Sequence, residues 1–173
     1  MNRAAVALVV LPILILFGRE IQAITHAGER IMSLVGSFQI ESRPYRSGEP
    51  IRLEMALKNE TDRKVYVFIP RGRADGIRIS LPPGQAAELK SLNEEAEPGL
   101  VAETEIGAGE TVRTSYPLTD WLILRAAGNY RIEAACTFDA YNASLRDKDS
   151  SKRIATPVEV KGEVVVTVLP AAS

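Results

Sequence analysis

From Tyr130 onward the side chains alternate: Tyr130, Ile132, Ala134, Cys136 and Phe138 fall on one face of an extended segment, and Arg131, Glu133, Thr137 and Asp139 on the other. A period of two belongs to a half-buried strand, because successive side chains of an extended chain point to opposite sides. The same rhythm sets Ile51, Leu53, Met55 and Leu57 against Arg52, Glu54 and Lys58. Lys64 to Ile69 carries apolar groups on both faces, as a central strand does, and Pro70 ends it. Further runs lie at Gly76 to Leu81, Glu88 to Leu92, Leu100 to Ile106, Glu110 to Tyr116 and Glu163 to Leu169, divided by Gly, Pro and Asn/Asp turns. A polar loop of about 20 residues is expected before the last of these, longer than the usual hairpin connection. Thr119 to Ala126 reads as one helical turn or two. Seven to nine short strands over residues 34–170 predict one all-β domain, an antiparallel sandwich, with a closed barrel as the alternative.

The start of the chain reads as an address. Met1 to Arg3 give a positive beginning, Ala4 to Phe17 an unbroken apolar run of 14 residues, and Gly18-Arg19-Glu20 a polar stop. As a helix that run would reach about 21 Å, short of the roughly 30 Å hydrocarbon core, so a secretory signal peptide over residues 1–23 fits better than a spanning anchor. Cleavage after Ala27 also fits and would remove His26. With Cys136 far away there is no thiol to acylate at the cleavage point. The expected product is exported, periplasmic or extracellular, with no membrane span once processed.

Charge and residue counts exclude much chemistry. Lys plus Arg number 21 against 22 Asp plus Glu, so the counterion release that drives nucleic-acid binding is missing for the chain as a whole. One Cys rules out an internal disulfide, and one His rules out sites built from several histidines. A Ser-His-Asp arrangement would depend on His26, in a tail that cannot hold a base in place. Glu94, Glu95 and Glu97 read as a solvated loop rather than the fixed carboxylate pair of a glycosidase. Asp139, Asn142, Asp147 and Asp149 could supply oxygens to calcium, but Arg146, Lys148, Lys152 and Arg153 are interleaved with them. No cofactor or metal is expected, and no catalytic spacing appears. Asn59-Glu60-Thr61 and Asn142-Ala143-Ser144 fit glycosylation acceptors, meaningful only in a eukaryotic host.

Gly128-Asn129-Tyr130-Arg131-Ile132 has the form of a tyrosine corner, a Tyr entering a strand with its hydroxyl returning to nearby backbone. Together with Ser47-Gly48-Glu49-Pro50-Ile51-Arg52-Leu53-Glu54-Met55, Leu57-Lys58-Asn59, and the stretch from Gly107 through Gly109-Glu110-Thr111 to Trp121 and Ala127, it resembles exported bacterial immunoglobulin-like modules over most of residues 45–138. A weaker resemblance is to the bacterial intracellular proteinase inhibitor family, a sandwich with a similar Trp followed by Gly-x-Tyr. The resemblance implies a Greek-key immunoglobulin-like sandwich. Ile132 stands where antibody domains place their second core cysteine, so the core must hold without an inter-sheet disulfide. Burial of one or two aliphatic side chains, each worth about 1.5–3 kcal/mol, offsets the roughly 2–5 kcal/mol of such a bridge. Cys136 shares the face of Tyr130 and is expected as a buried packing thiol.

If strands run alternately up and down, the turns at Arg43-Pro44-Tyr45-Arg46, Arg71-Gly72-Arg73 and Thr119 to Ala127 meet at one end of the sandwich. That would gather Arg43, Arg46, Arg71, Arg73 and Arg125 with Tyr45 and Trp121, a pole suited to carboxylate or phosphate groups; the plainer reading is ordinary solvated turns, partly neutralised by Glu94 to Glu97. The sequence is read as an exported, non-enzymatic binding module of the bacterial cell envelope. It would recognise a protein or an anionic envelope component through end loops or a sheet edge. A proteinase-inhibitor-like protein is the alternative, and a carbohydrate-binding module the second, disfavoured by aromatics at only 6%.

Overall fold

The computed structural model describes residues 33–91, 102–147 and 153–170. The signal peptide expected at 1–23, the cleavage point after Ala27, His26, Glu94, Glu95, Glu97 and Asp149 lie outside the described residues.

The alternation from Tyr130 becomes the longest ladder of the molecule. Strand β10 (Gly128–Tyr141) pairs antiparallel with β11 (Ala155–Leu169) in one unbroken register, from Gly128 opposite Val168 to Tyr141 opposite Ala155. Every second residue of β10 from Tyr130 to Ala140 is buried. On the other side of β10 lie β4 (Val65–Phe68) and β5 (Arg78–Ser80), and β7 (Glu103–Ile106) extends the sheet beyond β4. The two-residue β2 (Tyr45–Arg46) joins β11 in parallel at Val168 and Leu169. A second, antiparallel sheet has the order β1 (Leu34–Gln39), β3 (Arg52–Asn59), β8 (Thr111–Pro117). A small ribbon of β6 (Ala87–Leu89) and β9 (Leu122–Leu124) follows the single-turn helix α1 (Leu118–Trp121).

The result is the expected all-β, immunoglobulin-like antiparallel sandwich. Among the described residues seven strands have four or more residues, and the other four are short additions. Ile51, Leu53, Met55 and Leu57 from one sheet meet Ile132, Cys136, Val160 and Val166 from the other in a single apolar core. The Cys136 thiol lies 3.5 Å from the Met55 thioether, a soft contact joining the sheets in a core with no disulfide. Where β1 crosses β11 two glycines let the layers close in. A Cβ on Gly36 would overlap Val160, and one on Gly162 would sit 3.3 Å from the Phe38 Cβ. The tyrosine corner is present: the Tyr130 hydroxyl donates to the Ala126 carbonyl at 2.5 Å and accepts the Ala126 N–H at 3.0 Å. Tyr45 repeats the device, donating to the Glu41 carbonyl at 3.1 Å. Tyr116 donates to the Pro70 carbonyl at 2.8 Å, and burial raises its phenol above the ordinary range.

Asn59 is the one polar residue in the buried set among the described residues. Its amide donates to the carbonyls of Arg63, Ile106 and Gly107 at 2.7–3.1 Å, and its oxygen accepts the N–H and hydroxyl of Thr61. One side chain thus fastens the turn after β3 to the turn after β7. The acceptor motif at Asn59 is closed off by this burial.

Three segment expectations are corrected. The last strand begins at Ala155, not Glu163, so the connection from β10 spans 142–154 and is shorter than the 20 residues expected. Val158 and Val160, expected in the loop, continue the buried row of Val164, Val166 and Val168, with Gly162 filling the place beside Phe38. The helical turn ends at Trp121 and the chain becomes extended from Leu122. Tyr45 and Arg46, read as a turn, form β2.

Two outcomes follow from the core. Burial pushes the Cys136 thiol up to about 11, so in the native protein a thiol reagent at neutral pH should leave it unmodified until the chain unfolds. Asn59→Ala strands three carbonyl groups and should lower stability by about 2–4 kcal/mol, read as a shift in the urea midpoint.

Candidate interaction surfaces

The structure divides the expected arginine pole between two edges of the larger sheet. Its strand order puts β2, with Arg43, Tyr45 and Arg46, beyond β11, while Arg71 and Arg73 lie in the segment that leaves β10 after β4 and returns as β5. Three strand spacings, about 14 Å, separate the two edges. The alternating up-and-down assumption fails because the 69–77 segment is an excursion along one edge and not a turn at the end of the sandwich.

Most of these guanidinium groups are already engaged. Arg43 pairs with Glu41 at 2.7 Å and Glu49 at 2.6 Å and lies over the Tyr45 ring at 4.3 Å. Glu49 is held below the usual carboxylate range by Arg43 and by the Arg46 N–H. Arg73 donates to the Lys90 carbonyl at 2.6 Å, and Lys90 in turn donates to Thr119. Arg125 pairs with Glu88 at 2.5 Å. The Arg71 backbone N–H bonds Asp75, and its side chain stays exposed. Trp121 is half-buried against the Tyr116 ring with Gly72 beside it, so Arg71, Arg73 and Trp121 do share one neighbourhood. Arg125 sits at the far end of the β6–β9 ribbon from them.

At the other end, the 142–154 connection is fastened by Glu103. That carboxylate accepts the Ser144 hydroxyl at 2.5 Å and the Leu145 N–H at 2.7 Å, and lies 3.9 Å from Arg153. Arg153 rests on the Tyr141 ring, 3.6 Å from its centroid, with Phe68 beyond. Its Nε and Nη2 find no hydrogen-bond acceptor among the described residues, and the ring face stands in for one. Of the residues considered for calcium that are described, Asp147 accepts the Ser144 N–H, Asn142 accepts the Ile154 N–H, and Asp139 lies on the outer face of β10.

What local reading of the sequence missed is an asymmetry of edges. Beside β10 the ladder is continued by β4 and β5, and below β5 the Gln85 amide accepts from the Arg131 N–H and donates to its carbonyl, imitating a strand. β11 has no such cover. Among the described residues, only Val168 and Leu169 carry a ladder partner on the side away from β10. Pro157 is the sequence signal: within sheets proline belongs on edge strands with its missing N–H turned outward. In the unbroken register, Glu159, Lys161, Glu163, Val165 and Thr167 share its parity, so their backbone groups face outward too. Val165 is 52% exposed. A shallow depression of about 940 Å³ lies on the adjoining outer face, where the small Ala135 side chain lies between Arg78, Lys161, Glu133 and Glu163.

A search of solved structures matches the ASH / PapD-like domain of human CEP192 (PapD-like domain 7), with 14% identity, 99% of this chain and 100% of that one covered, and a TM-score of 0.32. That likeness is too distant to bear on what the chain does. No family model matches, and no curated protein matches. Among the described residues no helix is long and apolar enough to cross a membrane.

The Glu103 clasp sets a pH dependence. Burial alone would push this carboxyl up, but the Ser144 hydroxyl, the Leu145 N–H and the charges of Arg153 and Arg146 outweigh it and hold it below the usual range. Its contribution is therefore complete above the ordinary carboxylate range and lost as pH falls through the depressed folded value. Carboxyl NMR should show Glu103 titrating below a free glutamate, and Arg153→Ala should move it upward.

Proposed function

We propose that this chain is an exported, non-enzymatic interaction module of the bacterial cell envelope that takes an extended protein segment onto the outer edge of β11. The single observation behind this reading is the bare edge: a run from Ala155 to Thr167 with no ladder partner there among the described residues, whereas the far side of β10 is continued by β4, β5 and the Gln85 amide. Such an edge offers a row of backbone donors and acceptors to an incoming strand, which supplies affinity, while alternate side chains supply selectivity. Export rests on the apolar start of the sequence. A protein partner is favoured over an anionic envelope component because Arg43, Arg73 and Arg125 already have acceptors. The carbohydrate reading loses ground for a related reason: Phe38, Tyr45, Tyr116, Tyr130 and Phe138 are in the core, and Tyr141 is covered by Arg153. End-loop recognition survives in reduced form at Arg71 beside Trp121.

Affinity capture from envelope extract separates the two surfaces. Glu163→Pro removes one outward N–H while leaving the β10 ladder in place, and should abolish capture with an unchanged circular dichroism spectrum. Arg71→Glu should leave capture intact. The reverse pattern would move the interaction to the Trp121 neighbourhood.

A further inference from the structure

We propose that the occupant of the β11 edge is a second copy of this chain, paired antiparallel about a twofold axis through Gly162. This rests on the reading of that edge as the docking surface and names its partner. An antiparallel pair of identical strands is self-complementary: with the axis at Gly162, residue 161 of each copy faces residue 163 of the other. Lys161 then meets Glu163 twice, once on each side of the axis, on the exposed face of the sheet. Val165, half exposed in the single chain, lies alongside the stem of Glu159 from the second copy, and Pro157 falls opposite Thr167 at the ends, where its missing N–H matters least.

Neighbouring registers are poorer. An axis at Lys161 sets that residue on its own copy and Glu159 on Glu163, so every charged pair it makes is of like sign. An axis at Val160 gives Glu159 opposite Lys161 but carries the pairing down to Arg153, which is bound against Tyr141. The Gly162 axis confines the paired span to Pro157–Thr167 within β11; Ala155 and Thr156 of the second copy fall level with Leu169 and Val168, where β2 holds the edge, and turn away from it there. It also places at the axis a residue with no side chain. Lys161 and Glu163 have local partners in the single chain, Glu159 at 2.9 Å and Arg131 at 3.1 Å, both pairs largely exposed and so readily exchanged.

Sedimentation velocity on the purified chain, from low micromolar to near-millimolar concentration, tests this. A reversible dimer is expected. Lys161→Glu and Glu163→Lys should each weaken it by about tenfold or more, since each turns two attractive contacts repulsive, and the double variant should return it to within about threefold of the parent. Each substitution is on the exposed face, and circular dichroism checks that the fold is kept. Rescue by Glu159→Lys with Lys161→Glu instead would overturn the Gly162 register. A chain that stays monomeric throughout would overturn the second copy as occupant, while the edge reading itself would still be judged by the Glu163→Pro capture result. A dimer indifferent to both single reversals would place the interface elsewhere and sink the proposal.

Discussion

The unbroken ladder between β10 and β11 is the beam on which the other elements hang. The smaller sheet, three strands among the described residues, reaches the larger one through side chains and close backbone approach: Met55 against Cys136, Gly36 against Val160, Tyr116 against the Pro70 carbonyl. None of those contacts has meaning unless β10 and β11 present their inner rows in register. A slip of one residue would turn Ile132, Cys136 and Val160 out to water. The corner at Tyr130 fixes where the ladder begins, and Asn59 ties two turns together near its far end.

Much of this was legible because it is local. The faces of β3 and β10, the corner, and the inward thiol of Cys136 all follow from parity within one segment. The first half of β11 was not legible, because Pro157 and Lys161-Gly162 carry the composition of a loop. Only the nearness of Phe38 explains why a glycine there belongs to a strand. The arginine pole failed for a different reason. It depended on the relation between segments far apart in sequence, and on partners such as Glu49, Glu88 and the Lys90 carbonyl that no spacing rule identifies.

The two sides of the β10–β11 pair are treated unevenly. On one, two short strands and the side chain of Gln85 continue the hydrogen bonding of β10 almost without a break. On the other, β2 supplies two residues. The bare stretch of β11 is not a flat apolar template, for Pro157, Glu159, Lys161 and Glu163 break it up with ring and charge. Such decoration disfavours indiscriminate stacking while leaving room for a strand of matching pattern.

The burial of Asn59 bears on how the polypeptide can be manufactured. Its Asn-Glu-Thr triplet is a substrate for oligosaccharide transfer only while the chain is still extended, since in the finished fold the amide nitrogen is committed to three carbonyl oxygens. A sugar added during passage through a yeast or animal secretory route would have to be expelled from the interior. Production there would thus sort molecules by timing: those that closed the turn first, and those that were tagged and could no longer close it.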